Sequence, residues 1–256
     1  MLLLLYYADP QKYGSLAAAE LEDEARSLCY GPPEKWRKSL VKKLGVSTLA
    51  EVVDWERLTY LWEDRNVIAH RGSITDSRHR AHTGTEAGSV ISLDATAVRS
   101  GIDMIGATRF ALVACTWEHL SPGGGNIAAE MSGPLLSESL RAGRWEQAEL
   151  LGKLQERLIA DPEGKAAAKV NRWLASDMGR GPEAVRAEVE AWDVASLPRG
   201  YMLARLVLLG EDEQALALLR ELLANGDITQ VAVETWPLFD RFRGAGNLPT
   251  SLLGGA

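Results

Sequence analysis

The run Arg65-Asn66-Val67-Ile68-Ala69-His70 places a permanent cation and a titratable imidazole five positions apart. An imidazole titrates near neutral pH, so it can take or give a proton during a reaction. A guanidinium holds a phosphate through its planar fork and stabilises charge that builds on it. Asn66 and His70 are i and i+4 on a helix, close enough for the amide to orient the ring. At about 100° per residue, Leu58, Leu61, Trp62, Ile68 and Ala69 share one apolar arc, and Arg65 falls within it, about 20° from Leu58. An arginine aimed where a core residue belongs is either paired in a structural network or placed for chemistry. Arg65 and His70 are about 140° apart around an ideal helix. They converge only if the helix end distorts or a second subunit completes the site. Spacing alone proves nothing, because 20 Arg and 4 His in 256 positions produce it about 0.3 times by chance.

The elements that must carry these residues read as helices. Period-two alternation is almost absent and helical spacing recurs throughout, so the class is all-α. Ser15 to Tyr30 is an expected helix stopped by Gly31-Pro32-Pro33, and Glu34 to Leu44 a shorter one ended by Gly45. Ser47 is the expected N-cap of a long helix ending near His70. The polar segment Arg71 to Ile91 reads as a loop. A second long helix follows from Leu93 to about Leu120, through Val98, Ile102, Ile105, Phe110, Val113 and Trp117. Ser121-Pro122-Gly123-Gly124-Gly125-Asn126 then breaks the chain, giving a first domain at 1–121, a glycine-rich linker at 122–130 and a second domain at 131–256. In that second part, Leu140 to Ala148 reads as helix end, glycine turn and helix start, and Leu206 to Ala215 repeats it. The two turn glycines, Gly143 and Gly210, lie 67 positions apart, close to two periods of about 34. Gly179 or Gly181 marks an irregular middle turn.

The run Arg65-Asn66-Val67-Ile68-Ala69-His70-Arg71-Gly72-Ser73-Ile74-Thr75-Asp76 resembles the signature of the HEPN superfamily: arginine, a polar residue, a short interval, histidine and a glycine-containing continuation. The likeness covers roughly residues 10 to 120. It implies a HEPN-like helical bundle that forms a homodimer, bringing two motif helices to a shared groove. Many such domains are metal-independent endoribonucleases, and others are catalytically inactive interaction and dimerisation modules; both readings stay open. In an active member His70 and Arg65 are catalytic and Asn66 supports them. The chemistry is attack of the RNA 2′-hydroxyl on the adjacent phosphorus, with His70 as general base or acid and Arg65 stabilising the phosphorane. The products carry 2′,3′-cyclic phosphate ends, and DNA is inert for lack of the nucleophile. The hairpins of the second half resemble tetratricopeptide-type repeats, with an ordinary helical bundle as the alternative; a repeat face implies a protein partner. Such an architecture suits a toxin or anti-phage effector, an inference from the resemblance alone.

Two basic clusters could grip an RNA backbone. Lys35, Arg37, Lys38, Lys42 and Lys43 lie on the second expected helix beside Trp36; Arg71, Arg78, His79, Arg80 and His82 lie on the loop after the motif. Of these, Arg71, Arg78, Arg80, Lys38 and Lys42 are the RNA-binding candidates, and a solvated basic face is the plain alternative. The bland reading of the motif itself pairs Arg65 with Asp64, Glu63 or an acid of the first helix, and leaves His70 as a helix-end histidine favoured by the dipole. His79-x-x-His82 has no accompanying carboxylate or thiolate set in a fixed element, so no metal site is expected. No Walker loop, dinucleotide fingerprint or nucleophile elbow is present, and no cofactor is expected. Trp145, Trp173, Trp192 and Trp236 read as helix-packing residues.

Composition bounds the rest. A net charge of −7 does not advertise a nucleic-acid protein, and a hydrophobic content of 46% is ample for a core. Cys29 and Cys115 form no redox or metal pair in sequence and read as buried thiols of a reducing compartment. The apolar opening Leu2 to Tyr7 is too short for a membrane span and lacks the basic lead-in of a signal peptide. The expected location is therefore cytoplasmic, without a membrane partner.

Overall fold

The computed structural model describes residues 31–43, 45–121 and 124–244, together with Asp23 and Arg26. Apart from those two residues, the expected helix Ser15–Tyr30 lies outside the described residues, as do the apolar opening and Cys29. The fold is all-α. Among the described residues, one isolated antiparallel bridge, Ile74 to Val90, is the β pairing present. No helix among them is long and apolar enough to cross a membrane. The chain forms two compact units, Met1–Met131 and Ser132–Ala256.

In the first unit, α1 (Pro33–Arg37) begins on a proline, whose missing N–H costs nothing in a first turn, and continues as a π-helical stretch, Lys38–Lys43. The long helix expected from Ser47 is two helices. Ser47 makes no side-chain cap, α2 (Thr48–Val52) ends at an extended Val53, and α3 (Trp55–His70) starts afresh on Asp54, whose carboxylate accepts from the Arg57 N–H at 2.9 Å. The Trp55 Nε1 donates to the Leu49 carbonyl at 3.0 Å and ties the break together. A side-chain acceptor for orphan amides makes Asp54 the better start.

The segment expected as a loop contains α4 (Ser77–Thr83). Asp76 caps it by accepting from the His79 N–H at 2.8 Å, and Gly84 closes it in the left-handed region at φ 73°. Its polar sequence hides it from a hydrophobic-period test, because the one side chain it buries is His79. The next helix, α5 (Ala95–Leu120), is capped by Asp94 through the Ala97 N–H at 2.7 Å. It turns its small residues inward: Gly101, Ala107, Thr108, Ala111, Ala114 and Cys115 are buried. A Cβ on Gly101 would stand 3.2 Å from Leu61 Cδ2, so α5 lies close on α3. Met104 is buried with those small residues, whereas the large apolar residues Val98, Ile102, Ile105, Val113 and Trp117 face outward, with Ile102 64% exposed.

The expected linker 122–130 is helical from Gly124 onward: α6 (Gly124–Arg141) runs through it, and the boundary between the units falls inside this helix. Glycine costs about 1 kcal/mol in a helix interior. Here Ala128 in the first unit, and Leu136 and Leu140 in the second, are each buried and offset that cost.

The second unit holds α7 (Trp145–Leu158), α8 (Pro162–Arg180), the short α9 (Arg186–Glu190), α10 (Arg199–Leu209), α11 (Asp212–Asn225), α12 (Gln230–Thr235) and α13 (Asp240–Gly244). The turns at Gly143 and Gly210 share one geometry. Each glycine has positive φ (67° and 76°), its N–H reaches three residues back, and the following N–H reaches five back, to Ser139 and Leu206 respectively. This double bond pattern caps the preceding helix and requires a left-handed residue, which glycine adopts freely. Five residues beyond each glycine an alanine, Ala148 or Ala215, is fully buried in the following helix. Between them the chain departs from the pattern at Gly181, φ 91°, where a 3-10 turn, Pro182–Ala184, leads into α9. Helices α7 and α8 cross so closely that a Cβ on Gly152 would stand 2.8 Å from Arg172 Cβ.

Candidate active site at the end of α3

Arg65, Asn66 and His70 meet on one helix. The Arg65 Nη1 donates to Asn66 Oδ1 and to His70 Nε2, each at 3.1 Å. A guanidinium has no lone pair to offer. His70 Nε2 is therefore the acceptor, and the neutral ring carries its proton on Nδ1. The expected 140° separation is bridged without distorting the helix, since five residues rise only about 7.5 Å and the arginine arm spans that gap. The core position expected for Arg65 is a different matter. Arg65, Ile68, Ala69 and His70 are exposed, whereas Leu58 and Val67 are buried, so the last turns of α3 leave the core face that the wheel extrapolated.

Beyond His70 the chain turns sharply. Gly72 and Ser73 both have positive φ, 59° and 66°, and the Ser73 carbonyl accepts from the Ile91 N–H at 2.8 Å. Serine in that region costs of order 1 kcal/mol, so the tertiary bond holds a strained corner directly after the histidine. Arg71 pairs with Asp76 across the corner.

Of the acids that a structural pairing of Arg65 would use, Glu63 and Asp64 are engaged elsewhere, and those of the first expected helix, apart from Asp23, lie outside the described residues. Glu63 is only 4% exposed; Arg78 Nη2 donates to its Oε1 at 3.1 Å, and His82 Nε2 lies 3.9 Å away. Asp64 Oδ1 lies 2.8 Å from the Nε2 of His79, which is itself 1% exposed and has Nδ1 at 3.1 Å from Thr83 Oγ1. Those contacts clasp α4 onto α3. Arg65 is left with no carboxylate partner among the described residues, and its partners are the amide and the imidazole.

The RNA-binding candidates divide accordingly. Arg71 and Arg78 are committed to ion pairs with Asp76 and Glu63. Arg80, Lys38 and Lys42 are exposed, and no hydrogen bond or ion pair among the described residues joins them to Arg65 or His70. Sequence reasoning placed His79 on a basic loop, whereas it is a buried strut. The signal for it was Asp76 three residues earlier and Gly84 five residues later, an N-cap and a stop around a short polar helix. Among the described residues no group of three or more His, Cys, Asp or Glu side chains is arranged to hold a metal ion. Chemically, the arrangement offers an imidazole lone pair held by a guanidinium that has no carboxylate partner among the described residues, able to take a proton next to a bound anion once the guanidinium turns to that anion. No protein family, curated protein or solved structure matches this chain.

Proposed function

We propose that the chain is a metal-independent endoribonuclease of HEPN type, with His70 moving the proton and Arg65 holding the phosphate. The observation that carries this reading is the 3.1 Å contact of Arg65 Nη1 with His70 Nε2 on an exposed helix end, supported by Asn66. An incoming phosphate draws Arg65 to itself and frees the imidazole lone pair. His70 then takes the proton of the RNA 2′-hydroxyl as its oxygen attacks phosphorus, and the P–O5′ bond breaks. The leaving 5′-oxygen needs a proton, which a second His70 across a dimer, in its imidazolium form, supplies. The outward apolar face of α5 supports that dimer, because a stripe of five large apolar side chains on one helix is more than a lone surface normally shows. The same face favours a second reading, a catalytically inactive HEPN-like module whose work is association, with the helical second unit holding a protein partner.

One experiment separates them. Purified chain is incubated with mixed RNA and DNA in EDTA beside His70→Ala and Arg65→Ala, with sedimentation of all three. The nuclease reading expects RNA cleavage by wild type alone, 2′,3′-cyclic phosphate ends, intact DNA and dimers throughout. A wild type that dimerises and leaves RNA whole shifts the conclusion to the interaction module. A strict monomer that still cleaves removes the second histidine from the mechanism.

A further inference from the structure

In the second unit, the first two turns of α8 face the segment that follows α9 across an open cleft of about 250 Å³. Trp192 and Leu197 form one side, Pro162, Lys165 and Lys169 the other, and Glu156 of α7 closes an end. The Trp192 indole is held in place. It packs edge to face on Trp173, centroids 5.1 Å apart at 70°, and on Tyr201, 6.1 Å apart at 81°. Trp173 is in turn buried, and its Nε1 donates to Glu188 at 2.9 Å. The Tyr201 hydroxyl donates to the Glu163 carbonyl at 2.9 Å. The result is an aromatic wall that costs no further ordering when a ligand arrives.

The charges lie beside that wall. Lys165 and Lys169 are one turn apart on the same helix face, near the positive end of a 19-residue helix. Lys165 is exposed and has no partner among the described residues. Glu156, the carboxylate lining the cleft, accepts at Oε2 from Arg172 Nε at 3.0 Å, an arginine it shares with Glu188, and lies 3.9 Å at Oε1 from Lys169 Nζ.

We infer that this cleft is a nucleotide subsite for single-stranded RNA, the base stacking on Trp192 and the flanking phosphates lying on Lys165 and Lys169. Flat walls, an indole and point-charge ammoniums are the parts that bind single strands without reading sequence. At 250 Å³ the cleft is smaller than the roughly 300–1,000 Å³ of a complete small-molecule site, so it takes one base and leaves the sugar and phosphates outside. A peptide is disfavoured, because the cleft offers no sheet edge, no long apolar groove and no arginine cluster to engage one. The choice of RNA as the strand rests on the ribonuclease reading; the chemistry of the cleft stands apart from it.

The test uses the full chain and a fluorescein-labelled, fully 2′-O-methylated oligoribonucleotide, which cannot be cut by 2′-hydroxyl attack. Anisotropy titrations at several salt concentrations compare wild type with Lys165→Glu, the double variant Lys165→Ala/Lys169→Ala, Trp192→Leu and Trp192→Phe. Losing the Lys165 contact lowers the slope of log K against log salt by about 0.7, and the double variant, whose Lys169 is shared with Glu156, lowers it by about 0.7–1.4. Trp192→Leu weakens binding about 5- to 150-fold, and Trp192→Phe, which keeps an aromatic ring in the Trp173 and Tyr201 packing, weakens it less. Lys165→Glu, at an exposed unpaired position, weakens binding with the circular dichroism unchanged. Wild-type affinity in Lys165→Glu and Trp192→Phe, or no binding by wild type at low salt, overturns the subsite. So does an acidic aromatic peptide that binds through Trp192 and Lys165 while the oligonucleotide does not. If unmodified RNA is cut while these variants bind normally, the subsite alone fails. If nothing is cut while binding follows the cleft residues, the nuclease reading alone fails.

Discussion

His79 and His82 are the same residue type on the same short helix, and the structure assigns them very different weights. Replacing His79 by phenylalanine keeps a ring of similar size in the site, so no cavity opens. What disappears is the Nε2 contact with Asp64 at 2.8 Å. The Thr83 hydroxyl loses its ring neighbour but still donates to the carbonyl of residue 79 at 3.0 Å. A hydrogen bond to an ionised group contributes about 1.5–3 kcal/mol. Asp64 is 26% exposed and recovers part of that from water, which places the loss near the lower end, about 1.5–2 kcal/mol. At about 1.4 kcal/mol per decade, α4 opens roughly 10- to 30-fold more often. His82 is 46% exposed and stands 3.9 Å from Glu63, which keeps its 3.1 Å bond from Arg78. A surface pair of that kind is worth at most about 1 kcal/mol, so His82→Phe changes opening by less than about fivefold. Hydrogen exchange at the α4 amides of the full chain reads this directly, with no need for the two-unit protein to unfold in one step. Asp64→Asn provides the conservative arm, since its amide oxygen still accepts from Nε2. Equal acceleration by His79→Phe and His82→Phe, or none by either, would refute the clasp.

Two further predictions concern the second unit. Gly152→Ala puts a Cβ 2.8 Å from Arg172 Cβ and 3.0 Å from its Cα. Overpacking against backbone costs about 1–3 kcal/mol and outweighs the roughly 1 kcal/mol that alanine gains in a helix, so the urea midpoint of this unit falls. Gly200→Ala, with nothing within 4 Å of the new Cβ, is the control and raises the midpoint; shifts of the same sign in both contradict the close α7–α8 crossing. Burial pushes the Asp177 carboxyl above its ordinary range, and the Arg241 charge pulls it back less strongly. A folded pKa above the unfolded one means this group favours folding most below the unfolded value and loses that contribution as pH rises through the folded value. Asp177→Asn therefore raises the thermal midpoint at neutral pH, and the gain shrinks to nothing below about pH 3.9; a gain independent of pH from 3 to 7 would contradict it.

What could be read from residues alone follows from how local the determining contacts are. The turns at Gly143 and Gly210 were legible because a helix cap closed by bonds three and five residues back needs a left-handed residue, and glycine announces it. Asp54 and Asp76 are equally local signals but weaker ones, because Ser47 is a competing cap and α4 has no apolar period to reveal it. Arg65 and His70 were legible as a pair. Their meeting was not, because a helical wheel gives the direction in which each side chain leaves the axis and says nothing of how far an arginine arm travels along it. The wheel failed again at Ile68 and Ala69 by assuming that one face stays buried to the end of α3.

The least legible feature is the orientation of α5, and its cause is physical. Both sides of that helix are apolar, so hydrophobicity alone leaves the choice of inner face undecided. Distance decides it. At Gly101 the Leu61 Cδ2 would stand 3.2 Å from a Cβ, so an isoleucine has no room there, while further along Met104 is buried beside Ala107, Thr108, Ala111, Ala114 and Cys115. The side that carries Gly101 and the run of small residues goes inward, and Ile102, Ile105, Val113 and Trp117 are turned out. Packing against Leu61 accounts for the glycine of the inner face and leaves the outer face unexplained, since lysine or glutamate at those positions would pack no worse and dissolve better. Large apolar side chains outside the core of the described residues are what the proposed dimer would use. Ile102→Lys with Ile105→Glu is accordingly expected to leave helicity unchanged and abolish self-association in sedimentation, and a double variant that sediments like wild type would remove the α5 face from the argument for a dimer.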